Sequence, residues 1–299
     1  MELVKQKFLS GERALFNSNG IRVEDSIFAD GESPLKESNN IEINQSIFKW
    51  KYPLWYCQNV EVNNSTLLET ARSGIWYTHH IHIKDSIIEA PKTFRRASDI
   101  TLENVDMPIA LESFWKCQNI RLHNVTARGD YFGMNSEDIE IHGLNLTGNY
   151  CFDGGKNIEV HNSKLISKDA FWNCENITVY DSTIIGEYLG WNSQNVTFIN
   201  CTIESLQGLC YMKNLKLVNC KLINTSLAFE YCENIDAEIN SHIDSIKNPI
   251  SGVIIADSVG EVILDKTKIN PEETKIILRN TILNDAILSD EKTQECVNC

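Results

Sequence analysis

Basic residues are scarce in this chain: 27 Lys and Arg stand against 41 Asp and Glu, a formal charge of −14 over 299 residues. A nucleic-acid binder needs Lys and Arg in excess to neutralise phosphates, so nucleic acid is not an expected partner. The same field repels strongly anionic polymers, except where a local basic patch overrides it. Long apolar runs are also missing. No stretch is long enough to span a bilayer, and the opening MELVKQKFLSGERALF has no apolar core of signal-peptide length. These absences point to a cytoplasmic protein with no membrane partner, whose ten cysteines are reduced thiols. There is no Gly-rich phosphate loop, no Gly-x-Ser-x-Gly elbow and no His-Glu-x-x-His motif. No cofactor is expected. Helical periodicity is absent between Gly20 and Asn234.

What is present is a repeat. FWNCENITVYDSTI (171–184) returns nineteen residues later as GWNSQNVTFINCTI (190–203). The dipeptides Asn176-Ile177 and Asn195-Val196 anchor a register that runs from Gly20-Ile21 to Asn234-Ile235 in steps of 19 to 21 residues. Apolar residues stand one and three places after each anchor, as in Ile177 and Val179, which is the period of a strand with one face inward. Asn and Asp at the anchor, and again five places on (Asp181, Asn200, Asn219), are turn formers that tolerate positive φ. A unit this short cannot bury its own apolar face and must stack on its neighbours.

The fold class is therefore all-β: a single right-handed parallel β-helix of about a dozen coils. The leucine-rich repeat overlaps in length, but it needs a helical segment per unit that this β-branched, aromatic sequence does not offer. One domain is expected over 1–299, with an N-terminal cap over 1–18, coils over 19–270, a capping helix over 271–288 and a tail over 289–299. Asn270 reads as the N-cap of that helix, followed by Pro271 and two acids.

The stretches GERALF (11–16), GESPLKES (31–38), APKTFR (90–95), GNYCFDG (148–154), SKDAFWNCEN (167–176) and GEYLGWNS (186–193) carry a family resemblance. On them the chain resembles the pectin-lyase-like right-handed β-helices, and in detail an uncharacterised bacterial group catalogued as a domain of unknown function. The resemblance covers nearly the whole chain and implies the fold. The superfamily's familiar enzymes are polysaccharide lyases and hydrolases; the hydrolases' Asn-Thr-Asp and Gly-His-Gly stretches are absent here.

Four places before the anchor runs a column of Trp55, Trp76, Arg95, Trp115, Met134, Asp153, Trp172, Trp191, Cys210 and Glu230. Its neighbour on the inward side is a phenylalanine column, so alternation turns these side chains outward. Beside it lie Tyr56, Tyr77, Arg96, Lys116, Asn135, Asn173 and Asn192, and on the far side Tyr52, Glu112, Tyr131, Tyr150, Asp169 and Tyr188. Aromatics, amides and carboxylates on one face suit carbohydrate. The ligand-binding candidates are Trp76, Arg95, Arg96, Trp115, Lys116, Tyr131, Trp172 and Trp191. The cluster Lys92, Arg95, Arg96 and Lys116 suits an acidic sugar or a phosphorylated ligand. Asp153 interrupts the tryptophans with a charge, and with Asp130 or Asp169 it is the candidate acid–base pair of a hydrolase or lyase. The competing readings are a non-catalytic interaction solenoid, in which flanking turns cover the rings, and a metal enzyme on His123, His142 and His161. A flat imidazole column converges poorly on a metal, so a stacking ladder is preferred. Cys57, Cys117, Cys174, Cys201, Cys220 and Cys232 share columns with Ser, Ala and Val and should point inward; Cys201 and Cys220 lie one coil apart. The Cys296–Cys299 pair has no companion pair at metal-ligand spacing. The sequence leaves substrate and oligomeric state open.

Overall fold

The computed structural model describes residues 1–279. Within them the chain winds as a parallel β-solenoid of about fifteen coils, with no α-helix. The repeat is the strand register: Ile177 pairs with Val196, and Val196 with Leu215. Period-two alternation buries Ile177 and Val179 while Thr178 and Tyr180 stay half-exposed. After a corner, Thr183–Glu187 lies on Thr202–Leu206 of the next coil. The third side is mostly turns, with a short ladder of Ile75–Trp76 on Phe94–Arg95 that a bridge from Arg95 extends to Trp115.

Asparagine suits the corners for two reasons. It accepts left-handed backbone, as at Asn157, Asn176, Asn195 and Asn214 with φ between 53° and 60°. Its amide also donates and accepts, so each side chain bonds the one a coil below: Asn176 to Asn157, Asn195 to Asn176 and Asn214 to Asn195, at 3.0, 2.9 and 2.7 Å. A second ladder links Asn219, Asn200 and Asp181.

Inside, like stacks on like. Phe28 and Phe48 lie 4.4 Å apart, Phe94 and Phe114 4.5 Å, each pair contributing about 0.5–1.5 kcal/mol beyond the area it buries. The six cysteines expected inward are buried free thiols, joined by Cys151 and Cys210. Burial pushes Cys57 and Cys117 up to about 12, which leaves them unreactive at neutral pH.

The ends depart from expectation. Residues 1–18 are not a cap but a full coil, with Glu2–Lys5 paired to Ile21–Glu24. That coil lacks the asparagine anchor, as do the last two, so a count on anchors stops near a dozen. The helix expected over 271–288 is a single 3₁₀ turn, Pro271–Glu273, capped by the Asn270 side chain as read, after which Thr274–Leu278 returns to strand. That strand pairs with Gly252–Ala256. An open edge offers a β-branched segment a full ladder at once, whereas a helix must first nucleate. The remainder of the expected helix, the tail and Cys296–Cys299 lie outside the described residues. Among the described residues no helix is long and apolar enough to cross a membrane.

Candidate functional site

The three side-chain columns do share the third side, and their backbone is unusual. The left-handed conformation that asparagine fills at the corners is held here by Tyr56, Lys116, Tyr131 and Tyr150, with φ of 56°, 54°, 59° and 58°. That conformation costs an ordinary L-residue about 1–2 kcal/mol. The same conformation recurs on this side at Tyr52, Tyr77, Glu112, Asp169 and Tyr188 and at the buried Phe114, Phe152 and Phe171, so it belongs to the turn that each coil makes here.

Over the first coils the face is closed. Trp55 stacks on Trp76 with centroids 5.2 Å apart and planes 8° from parallel. The Arg95 guanidinium lies 4.6 Å over Trp76 and 5.0 Å from the Trp115 ring, between the two. Alongside, Tyr56 stacks on Tyr77 at 4.7 Å and Arg96 sits 5.9 Å from Tyr77. Indole N–H groups are tied down too, Trp55 to the Ser73 carbonyl at 2.5 Å and Trp76 to that of Lys92 at 2.8 Å. Both faces of Trp76 are covered, and only ring edges meet solvent. Glu112 is engaged by Lys92 at 3.0 Å and by Arg95 at 3.3 Å.

Farther along, the ladder breaks. Met134 and Asp153 replace the rings on two successive coils. Trp115 has Arg95 on one face and no ring on the other, and its indole N–H has no partner among the described residues. Trp172 meets Tyr150 edge-on at 6.0 Å and Trp191 at 5.8 Å, tilted by 33°. With a coil rise of about 4.8 Å, Trp115 and Trp172 stand about 14 Å apart along the stack, with Met134 and Asp153 at the same column position between them; this ring-free interval is the notch. Tyr131 and Tyr150, stacked at 5.0 Å, form its side.

The candidate acids gather at this notch in different states. Asp130 accepts the Asn149 N–H at 2.7 Å, and Asp153 accepts the Asn173 amide at 3.0 Å. Asp169 is only 8% exposed. Burial raises its pKa, a hydrogen bond from Tyr150 opposes the shift, and the charges of Glu187 and Asp153 add to it. The Asp169 charge in turn raises Tyr150. Tyr150 was visible in the sequence as one tyrosine of a column, with nothing to mark it as the partner of a buried carboxyl. Glu187 is neutralised by Lys168 at 3.0 Å.

A family described as "Protein of unknown function (DUF3737)" matches residues 2–277. The chain belongs to that family. No curated protein matches it. Among solved structures, the chain is similar to PfbA, a surface adhesin of Streptococcus pneumoniae, at 12% identity and TM-score 0.41, covering 70% of each chain. It is also similar to the A-module of the mannuronan C-5 epimerase AlgE4 of Azotobacter vinelandii, at 10% identity and TM-score 0.28, over 96% of this chain and 91% of that one. A third is HetL, a pentapeptide repeat protein of Nostoc, at 10% identity and TM-score 0.27, over 74% and 91%. At these values none of the three bears on what this DUF3737 member does.

Two other groups complete the picture. Cys210 and Glu230, expected outward in the tryptophan column, are buried: Glu230 turns in to accept from Gln207 at 2.7 Å and pairs with Lys247 at 3.1 Å. His123, His142, His161 and Tyr180 stack at 5.3, 4.6 and 4.5 Å, with Glu140 and Glu159 holding His142 and His161. No group of three or more metal-ligating residues is assembled among the described residues. A further histidine cluster, signalled by THHIHI (78–83), was missed in the sequence. There His79 Nδ1 lies 2.8 Å from Ser98 Oγ, which donates to Asp99 at 2.8 Å. His80, His82 and Asp99 line a groove of about 500 Å³ on the first sheet, away from the notch.

Proposed function

We propose that this protein binds a carbohydrate in the notch between Trp115 and Trp172. The observation that carries the reading is the interruption itself, a self-stacked aromatic ladder opened for two coils at the place where carboxyls and tyrosines converge. An uncovered indole face stacks on the apolar face of a sugar ring, while Asp153, Asp169 and the Trp115 N–H supply polar contacts that fix orientation. If the bound sugar is turned over, Asp169 is the acid, because burial holds its proton to higher pH, and Asp153, in an amide ladder open to solvent, is the base. Eight buried free thiols fit a reducing cytoplasm.

Glycan-array binding tests the reading. Trp115→Ala and Trp172→Ala should each weaken binding at least about tenfold while the chain still unfolds in one cooperative transition, and Asp169→Asn, which keeps a hydrogen-bonding group in place, should weaken binding less than either. Binding that survives both tryptophan variants rejects the notch. The interaction-scaffold alternative rests on the closed ladder of the first coils, whose ring faces are all spent on one another; a solenoid that captures protein but no glycan would favour it.

A further inference from the structure

Next to the notch, toward the N-terminus, the face turns cationic. Lys92, Arg95 and Arg96 occupy one coil and Lys116 the next, in a chain of net charge −14. Cross-coil pairing accounts for part of this charge, since Glu112 takes Lys92 and one Arg95 nitrogen, Nη2. It does not account for the rest. Among the described residues no carboxylate pairs with Arg96 or Lys116, although the two stand one above the other a coil apart, with like charges stacked. Asn135 follows them in the column, so no acid approaches from the next coil either.

Arg95 is held in an unusual way. Trp76 and Trp115 clamp its guanidinium from both faces, so its donors point only in the plane of the clamp. Its Nε is buried without a hydrogen-bond partner. With Nε closed off from solvent and Nη2 on Glu112, the donor this flat, immobilised guanidinium keeps for an oxyanion at its edge is Nη1. We infer that Arg95, Arg96 and Lys116 form an oxyanion subsite continuous with the notch. The ligand then carries a carboxylate, sulfate or phosphate group two to three coils N-terminal of Asp153. This rests on the carbohydrate reading for the rest of the ligand, but the subsite itself does not. Arg96 and Lys116 supply charge that steers an anion through an otherwise repulsive field, and Arg95 supplies a fixed direction. Trp115 belongs to both parts, with one face on Arg95 and the other toward the notch.

The test uses the full chain and four probes: inorganic sulfate, a neutral tetrasaccharide, the same backbone bearing carboxylates, and a sulfated form. Binding is read from tryptophan emission, with sodium chloride at matched ionic strength as control. The expected result is that acidic probes bind at least about tenfold more tightly than the neutral one at low salt. The advantage should shrink as salt rises. Arg96→Gln with Lys116→Gln should remove the advantage and leave neutral binding untouched, whereas Trp172→Ala should weaken all three sugars. Should sulfate perturb the emission in a way the double variant abolishes while no sugar binds, the subsite stands and the carbohydrate reading falls. Neutral and acidic probes binding alike, or a double variant that behaves as wild type toward sulfate, would overturn the subsite. So would a chain that responds to none of the four.

Discussion

The two halves of the aromatic face use the same residue types for opposite ends. From Trp55 to Trp115 the column stacks without a gap, a guanidinium filling the one place where a ring is missing, so that Trp76 is covered on both faces. From Trp115 to Trp191 the column admits Met134 and Asp153, and the rings meet at edges and tilts. A stacked aromatic column is thus a device for building the solenoid, and its interruption is what leaves ring surface available. On the reading proposed above, the break in the tryptophan column, rather than the column itself, marks the binding face.

Substitutions in the two halves should separate these roles. Trp76→Ala, which removes a ring stacked on both sides, should lower stability by about 2–3 kcal/mol, less than a fully buried ring because its edge is wet. Chemical denaturation measures this, and ligand binding at the notch should persist. Trp172→Ala should cost about half as much stability, since its contacts are edge-on and tilted, yet it should lose the ligand. Equal stability losses with no difference in binding would erase the distinction between the halves.

A smaller effect concerns Asp169. Burial raises its folded-state pKa above the ordinary 3.8. The fold then binds that proton more tightly than the unfolded chain, so unfolding free energy falls as pH climbs from 3.8 through the raised value and levels off above it. Asp169→Asn should flatten that segment of a stability–pH profile and leave the protein at least as stable at neutral pH. Asp153→Asn, which removes the weakest of the charges that raise Asp169, should narrow the segment only slightly. The corners give a test that leaves both halves of the face alone. Asn176→Ala should cost about 1–2 kcal/mol, through left-handed strain and two lost, solvent-exposed ladder bonds, while Asn176→Gly should recover most of the strain component.

Much of this could be read before the fold was seen, because a solenoid writes its register into the chain. Ile177, Val196 and Leu215 pair as their spacing says, and the alternation that assigned Phe94 and Phe114 to the core and Trp115 outward is local geometry. The expectation failed where register weakened. The first coil has no asparagine anchor, and Pro271–Glu273 carries good helix-start residues that an open strand edge overrode. At the site, the sequence brought Asp130, Asp153 and Asp169 to one face and put Asp153 first, but could not choose its partner or say which carboxyl is buried. Burial of Asp169, engagement of Glu112 and Glu187 by lysines, and covering of Trp76 all depend on side-chain directions between coils. Cys210 and Glu230 illustrate the same limit, since the column rule left exposed two residues that neighbours cover, Glu230 beneath Gln207 and Lys247.

Fluorine NMR of the protein labelled with fluorotryptophan, titrated with a glycan that binds, tests the central claim most directly. All six tryptophans report separately. Trp115 and Trp172 should shift on titration, with Trp191 following weakly, while Trp55 and Trp76 stay fixed in their stack. Shifts at Trp55 and Trp76 with Trp115 and Trp172 unmoved would contradict the account, placing the ligand on the closed ladder and making the notch a mere irregularity of the stack.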